Sequence, residues 1–303
     1  MTRRHRLVPG LLLTLLALLG GCATQPYCKL LPLAEMPVED YRNLLVVPAE
    51  INGQPVRLLV DTGAERTMLT ETAVQRLRLG RDSHQTRSLG IGGVSAHFDA
   101  RVPGIWLGGT RFPVERVAVG AFALPELPGG PVDGLLGADI LLAFDLDLNI
   151  PGQRLTLYRV RRCPTAVPPW PALEVAGVGA RRDRMLVPIT VNGVAGKAVL
   201  DTGAQTSAIS LEMAERTGVS PATLNRDPKI TVHGAAPAPV QVPIQRFSRM
   251  TIAGEPVLYP RLAVVPTMGG LGDGLVGADF IRGRRLWLAF PTGQMFIAAG
   301  PAP

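Results

Sequence analysis
The sequence predicts an all-β fold, and three observations favour it. The chain has 303 residues, about the length of two ordinary domains. Hydrophobic residues make up 47% of it, which is enough to build buried cores and excludes extended disorder. It also contains 34 glycines and 28 prolines, which interrupt helices but suit short strands joined by tight turns.

An internal repeat indicates that the chain consists of two copies of one module. Residues 46–69 read VVPAEINGQPVRLLVDTGAERTML, and residues 186–209 read LVPITVNGVAGKAVLDTGAQTSAI. Farther along, DGLLGADIL at 133–141 matches DGLVGADFI at 273–281, and both pairs of blocks are offset by 140 positions. The similarity thins between the blocks, which is typical of duplicated strands joined by variable loops.

Each copy predicts the same order of elements. Asn-Gly at 52–53 and at 192–193 lies between apolar runs and indicates a tight hairpin. The second hairpin strand runs into Asp-Thr-Gly-Ala, and a short helical stretch follows at 71–78 and at 211–217. We therefore expect an N-terminal lobe at 44–158, a linker rich in proline and arginine at 159–184, and a C-terminal lobe at 185–303.

The N-terminus predicts a secretory leader. Three arginines precede a short apolar run, which ends in Leu-Gly-Gly-Cys at 19–22. This ending resembles the lipobox of bacterial lipoprotein signals, which implies a signal peptide at 1–21 and a lipid on Cys22. Ala23 by the same resemblance favours the outer membrane of a Gram-negative cell. An ordinary signal peptide with an incidental cysteine is the alternative. We expect residues 22–43 to form a tether.

Charge and cysteine content exclude some classes of partner. The formal net charge is +7, but part of it lies in the leader and the remainder is too dispersed to indicate nucleic-acid binding. An exported chain permits Cys28 and Cys163 to form a disulfide, although two free thiols are an equal alternative. The four histidines are scattered and none has a zinc-ligand spacing, so we expect neither a metal nor a cofactor.

The two Asp-Thr-Gly triplets indicate one shared site. A lone triplet is an ordinary turn signal, but here both follow an apolar strand and both occupy the same place in the repeat. Two lobes related by a twofold axis would bring Asp61 and Asp201 together. Neighbouring carboxyls cannot both ionise, so one would act as an acid and the other as a base towards a bound water. Supporting roles fall to Thr62 and Thr202 (hydrogen bonds between the loops), Gly63 and Gly203 (close backbone approach) and the amides of Ala64 and Ala204.

These motifs resemble the retropepsin-type aspartic peptidases, and the tandem copy resembles the bilobal plan of the pepsin-like enzymes. The resemblance covers about residues 44–300. It implies two pseudo-symmetric retropepsin-like β-barrel lobes with short helices, and Asp61 and Asp201 as the catalytic dyad. For Asp139 and Asp279 we favour a helix N-terminal charge over a catalytic role. The resemblance also implies a block that supports each Asp loop, formed by Leu135, Leu136 and Gly137 in one copy and by Leu275, Val276 and Gly277 in the other.

The resemblance also implies a flap over the site. Residues 88–94, SLGIGGV, resemble the glycine-rich flap tip of retropepsins, and an ordinary hairpin turn is the alternative. Neither copy has the tyrosine of a pepsin flap. For His97 and His233 an exposed loop position is the simplest interpretation. The candidate flap residues are Gly90, Ile91, Gly92 and Gly93 in the first copy, and His233 and Gly234 in the second.

The expected function is that of a monomeric aspartic endopeptidase, anchored by lipid in the bacterial envelope and facing the periplasm. Its partner would be a polypeptide substrate. A lipoprotein that binds peptide or envelope material without cutting it is the alternative, although degenerate duplicates usually lose one aspartate and both are present here. Dimerisation of two chains is unnecessary, since one chain holds both triplets.

Overall fold
The computed structural model describes residues 29–90, 93–120, 127–161, 167–181, 184–232, 239–268 and 272–299. Strands dominate this part of the chain, and its five helices are short, so the predicted all-β fold is confirmed. None of the described helices has the length and apolar character that crossing a bilayer requires. The leader, Cys22, Cys28 and Cys163 lie outside the described residues.

The first half of the chain contains thirteen strands and two helices in its described part. They are β1 (Lys29–Pro37), β2 (Glu39–Tyr41), β3 (Leu44–Ile51), β4 (Gln54–Val60), β5 (Met68–Thr70), α1 (Glu71–Arg76), β6 (Arg81–Gly90), β7 (Gly93–Arg101), β8 (Ile105–Leu107), β9 (Thr110–Phe112), β10 (Arg116–Gly120), β11 (Gly134–Leu136), α2 (Ala138–Leu141), β12 (Asp145–Asn149) and β13 (Arg154–Arg161).

The second half repeats this order with one additional helix in its described part. It comprises β14 (Ala172–Glu174), β15 (Gly179–Arg181), β16 (Arg184–Val191), β17 (Val194–Leu200), β18 (Ala208–Ser210), α3 (Leu211–Arg216), α4 (Pro221–Arg226), β19 (Lys229–Val232), β20 (Val240–Arg246), β21 (Arg249–Ile252), β22 (Glu255–Leu258), β23 (Arg261–Val265), β24 (Gly274–Val276), α5 (Ala278–Ile281), β25 (Arg285–Ala289) and β26 (Gln294–Ala298).

Each copy folds into one ten-stranded sheet, and the two sheets have equivalent strand orders. The first runs β6-β7-β10-β5-β11-β4-β3-β8-β9, with β2 paired to β3. The second runs β19-β20-β23-β18-β24-β17-β16-β21-β22, with β15 paired to β16. In both sheets the strand that leads into Asp-Thr-Gly pairs in parallel with the strand of the downstream glycine block. The repeat in the sequence is therefore a repeat of topology.

The Asn-Gly turns form as predicted. Asn52 and Gly53 have φ angles of 53° and 69°, and Asn192 and Gly193 have φ angles of 47° and 86°. Positive φ at both central residues matches the right-handed twist of the flanking strands, which is why Asn-Gly is favoured there. These turns set the register of β3 with β4 and of β16 with β17, and so the positions at which β4 and β17 end.

A third sheet joins the two lobes. Its order is β1-β13-β12-β25-β26-β14, and the lobes meet where β12 pairs antiparallel with β25. Leu146 lies opposite Leu288 in this pair, and both side chains are fully buried. Buried apolar residues of both lobes belong to one continuous cluster. Because this core is shared, the lobes are held in a fixed relation to each other.

Residues 29–37 differ from the expected tether, because they form β1 and pair with β13 in the third sheet. Ala34 and Met36 of β1 are buried, as is Val38 just after it, an alternation typical of a half-buried strand. The two prolines of β1 are compatible with this role since β1 is an edge strand, and its register shifts next to Pro32.

The expected linker at 159–184 also contains paired strands. β13 continues to Arg161, β14 pairs with β26 at the other edge of the third sheet, and β15 pairs with β16. The prolines in this segment are therefore incompatible only with a central strand. An edge strand tolerates them, because the amide donor that proline lacks is not needed on its free side.

Candidate active site
Each Asp loop begins at the end of a strand that pairs with the strand of the glycine block. The amide of Asp61 donates to the carbonyl of Leu136 at 3.0 Å, and the amide of Asp201 donates to the carbonyl of Val276 at 2.9 Å. These bonds extend the parallel pairing of β4 with β11 and of β17 with β24. The blocks at 135–137 and 275–277 therefore lie directly beside the loops they were expected to support.

A hydroxyl and a carboxylate form a hydrogen-bonded pair beside each Asp loop. Thr67 Oγ1 donates to Asp139 Oδ1 at 2.7 Å and accepts from the amide of Gly137 at 3.1 Å. In the second copy Ser207 Oγ donates to Asp279 Oδ1 at 2.7 Å and accepts from the Gly277 amide at 3.0 Å.

Asp139 and Asp279 thus do more than provide the expected charge in the first turns of α2 and α5: each ties its helix to an Asp loop. Sequence reasoning missed Thr67 and Ser207. The available signal was a hydroxyl side chain at the same place in both copies, 140 positions apart.

Two buried threonines cross from one loop to the other. The amide of Thr62 donates to Thr202 Oγ1 at 3.0 Å, and the amide of Thr202 donates to Thr62 Oγ1 at 3.1 Å. Thr62 Oγ1 donates to the carbonyl of Leu200 at 2.7 Å, and Thr202 Oγ1 donates to that of Val60 at 2.6 Å. Every one of these four bonds joins the two lobes. They fix the separation and orientation of the loops.

The two carboxyl groups meet between the loops and are bound by their own backbones. Asp61 Oδ1 accepts from the amides of Gly63 at 3.0 Å and Ala64 at 2.8 Å. Asp201 Oδ1 accepts from the equivalent amides of Gly203 at 2.9 Å and Ala204 at 3.1 Å. The two carboxyls lie close enough for each to influence the ionisation of the other.

Glycine is required at 63 and 203 by the opposite carboxyl. A Cβ on Gly63 would lie 2.5 Å from Cγ of Asp201, and a Cβ on Gly203 would overlap the carboxyl of Asp61. Each glycine therefore packs its backbone against the carboxyl that the other copy supplies. Any larger residue would push the two carboxyls apart.

The surroundings raise the pKa of both aspartates. Each is enclosed by protein although part of its side chain stays accessible, and burial is the main cause in both cases. The charge of Asp201 raises the pKa of Asp61 further, against the lowering effect of the Ala64 and Gly63 amides. For Asp201, its backbone amides, the hydrogen bond from Asp61 and the charge of Arg184 oppose the rise. The pair therefore keeps a proton at pH values at which an ordinary aspartate is ionised.

Arg184 is a residue of this site that the sequence analysis did not identify. It lies at the start of β16, and its Nε donates to the carbonyl of Gly63 at 3.3 Å. Its terminal nitrogen forms an ion pair with Glu65 Oε1 at 3.0 Å. The repeat places Leu44 at the equivalent position of the first copy. A search for shared residues cannot find a residue that only one copy has.

The flap candidates are described only in part. In the first copy β6 and β7 form a long hairpin in which Gly90 pairs with Gly93, while Ile91 and Gly92 lie outside the described residues. In the second copy β19 and β20 form the equivalent pair, and His233 and Gly234 also lie outside the described residues.

His97 corrects one expectation, because it lies in β7 and is buried instead of occupying an exposed loop. Its Nε2 has no hydrogen-bond partner among the described residues. Burial lowers the pKa of His97 from its usual 6.5, more than its hydrogen bond to the Val119 backbone and the nearby Asp99 raise it. The ring is therefore neutral at pH 7.

Comparisons with known proteins agree with this geometry. A family model described as aspartyl protease matches the chain twice, at residues 47–140 and at residues 187–280. Each match contains one Asp-Thr-Gly loop and one glycine block, so the resemblance to retropepsin-like enzymes is confirmed for both copies. The comparison with curated proteins gave no match. Within the described residues, no group of His, Cys, Asp and Glu side chains is arranged to hold a metal ion.

Proposed function
Because the chain belongs to the aspartyl protease family, we propose that it is an aspartic endopeptidase in which Asp61 and Asp201 hydrolyse peptide bonds of a polypeptide substrate. One observation carries the proposal. The two carboxyls come from different copies, each packs against the glycine of the other loop, and four crossed hydrogen bonds join the loops. A turn with only a structural role does not need a second carboxyl beside the first, since repulsion between the two charges destabilises the folded state.

The proposed reaction uses the unequal protonation of the pair. Asp201, as the base, takes a proton from a water bound between the carboxyls, and the water oxygen attacks the peptide carbonyl carbon. Asp61, as the acid, donates its proton to the carbonyl oxygen. The resulting tetrahedral intermediate collapses when the C–N bond breaks and the leaving nitrogen takes the proton held by Asp201. Return of the remaining proton to Asp61 restores the starting state.

The surroundings support this reaction by preorganisation. Amides at 63, 64, 203 and 204 already point at the carboxyl oxygens, so no solvent has to reorganise as charge moves. The threonine bonds hold the two loops in one geometry throughout. Partial exposure of both aspartates leaves room for water and substrate.

Two isosteric substitutions test the proposal. Asp61→Asn and Asp201→Asn each keep the shape of the loop but remove one half of the acid–base pair, and we expect each to lower kcat at least a thousandfold. Cleavage of an unfolded protein and of a peptide library measures this. Asp82→Asn, which alters an ion pair with the exposed Arg101, is the matched control and should retain full activity. Full activity in either dyad variant would refute the assignment.

A transition-state mimic separates catalysis from simple peptide binding. A statine-type inhibitor places a hydroxyl between the two carboxyls, so it should bind the native protein far more tightly than either asparagine variant. Calorimetric titration measures the difference. Equal binding to all three proteins, together with no cleavage, would favour a non-catalytic peptide-binding protein on the same scaffold.

We also propose that the protein is a monomer anchored in the bacterial envelope through a lipid on Cys22, on the outer membrane and facing the periplasm. The lipobox-like sequence at 19–22 supports the anchor, and the presence of both Asp loops in one chain supports the monomer. Incorporation of a labelled fatty acid in a Gram-negative host tests the first part. Cys22→Ser should abolish the label and release the protein into the soluble periplasmic fraction.

A further inference from the structure
The two carboxyls have nearly equivalent partners, with a clear exception on one side. Both accept two loop amides, both face a glycine of the opposite copy, and both belong to loops joined by the same threonine bonds. Arg184 breaks this equivalence. Its side chain is 13% exposed, and it binds the carbonyl of Gly63, the glycine that packs against Asp201.

The equivalent position in the other copy has no charge. Leu44 lies there and is buried among apolar residues. Glu65, the partner of Arg184, has Gln205 as its counterpart, and the Nε2 of Gln205 donates to the carbonyl of Arg42 at 2.8 Å. Neutral hydrogen bonds therefore replace the ion pair on the Asp61 side of the pseudo-twofold axis.

Arg66, which follows the first Asp loop, is paired with other acidic groups. Arg66 Nε lies 3.6 Å from Asp139 Oδ2, and its terminal nitrogen lies 4.0 Å from Asp99 Oδ2, so two acidic groups offset its charge. The charged groups near Asp201 include Asp61 and Arg184: Arg184 binds Gly63, which packs against the Asp201 carboxyl, and Glu65 pairs with Arg184.

We propose that Arg184 is a positioning residue that makes the dyad unequal, so that Asp201 carries the negative charge and acts as the base while Asp61 holds the proton. The inference rests on the proposed peptidase function. The cationic charge of Arg184 favours the ionised form of Asp201, and Glu65 limits this effect by partly neutralising Arg184. The lowering of the Asp201 pKa by Arg184 agrees with the geometry. The duplicated chain could therefore assign acid and base to fixed copies.

The pH profile of kcat/KM tests the proposal through shifts of opposite sign. Arg184→Leu copies the residue at position 44 and removes the cation, so the acid limb, where Asp201 becomes protonated, should move up by roughly one pH unit. Glu65→Gln removes one negative partner of Arg184, so the same limb should move down. Arg184→Lys keeps the charge and should restore most of the native profile.

A matched control is available at Arg284. It also combines an ion pair, to Glu255 Oε2 at 2.6 Å, with a hydrogen bond to a backbone carbonyl, that of Phe280. Arg284→Leu should leave both limbs in place. Thermal melting of every variant shows whether a change in activity reflects unfolding.

The outcomes separate this inference from the proposed function. Opposite shifts for Arg184→Leu and Glu65→Gln support it. Unmoved acid limbs in folded, active variants overturn it and leave Arg184 as a connection between the lobes only. If the native protein cleaves nothing, the proposed function fails, and the pH dependence of statine-type inhibitor binding then tests the charge asymmetry by the same shifts.

Discussion
The candidate flap segments of the two copies differ in sequence: the first has glycines at 90, 92 and 93, whereas the second has one glycine, at 234, and prolines at 237 and 239. The Asp loops differ far less: each keeps its two amide bonds, its threonine bonds and its hydroxyl–carboxylate support. The comparison teaches that the residues that build the Asp loops and join them have remained alike, with Arg184 and Glu65 as the exception. The candidate flap segments have diverged.

A second contrast lies within one strand of the lobe junction, β12. Asp147 of β12 receives both Nε and a terminal nitrogen of Arg285, at 2.9 and 2.7 Å. Asp145, two residues away, is bound by Trp287 Nε1 at 3.1 Å, and its Oδ1 has no partner among the described residues. One carboxylate of the junction is neutralised and the other is not.

Thr62→Val and Thr202→Val should cause the largest loss of stability. Together they test whether the two Asp loops are equivalent. Each change removes two hydrogen bonds and leaves a buried carbonyl and a buried amide without partners, which costs about 2–5 kcal/mol. Peptidase activity should fall in both variants. Urea unfolding monitored by fluorescence measures the stability. If one variant were as stable as the native protein, the two threonines would not be equivalent.

A smaller effect, on the pH dependence of stability, should distinguish Asp145 from Asp147. Burial raises the pKa of Asp145 to about 6, so the folded state holds a proton that the unfolded state, near pKa 3.8, releases. Stability should therefore decrease by up to about 3 kcal/mol as the pH rises from 4 to 7.

Asp145→Asn should remove this part of the pH dependence, whereas Asp147→Asn should destabilise the protein at both pH values because it leaves Arg285 unpaired. Chemical denaturation at pH 4 and pH 7 measures both effects. An unchanged slope in Asp145→Asn would show that this carboxyl does not titrate as inferred.

The smallest effect on stability should distinguish the two Asn-Gly hairpins, which are alike in sequence. Alanine at 52 or 192 adopts positive φ at a cost of about 1–2 kcal/mol. Asn192 Oδ1 also accepts from the amides of Ser248 and Arg249, at 3.0 and 3.2 Å, whereas Asn52 Nδ2 donates to the Leu77 carbonyl at 3.1 Å.

Asn192→Ala should therefore destabilise the protein more than Asn52→Ala does, by several tenths of a kcal/mol. Glycine at each position tolerates the turn and isolates the side-chain bonds, so the order should persist in Asn192→Gly and Asn52→Gly. Melting temperatures measure all four variants. A reversed order would mean that the Leu77 bond is the stronger one.

The repeat made much of the fold predictable from sequence. It located both Asp loops, both glycine blocks and both Asn-Gly hairpins, because each occurs twice at a constant offset. β1 escaped prediction since its partner β13 lies more than a hundred residues away and its prolines suggested an unpaired segment. Arg184 escaped for a different reason: its significance lies in its contrast with Leu44, and it is visible only when the two loops lie side by side.

The crossed threonine bonds also bear on how the chain is made. Neither copy can satisfy the buried hydroxyl and amide of its own Asp loop, since all four bonds run to the other copy. A nascent chain that ends before residue 200 therefore has half of the cleft and a loop without its partner. Under the proposed function, hydrolysis would require both lobes to have folded.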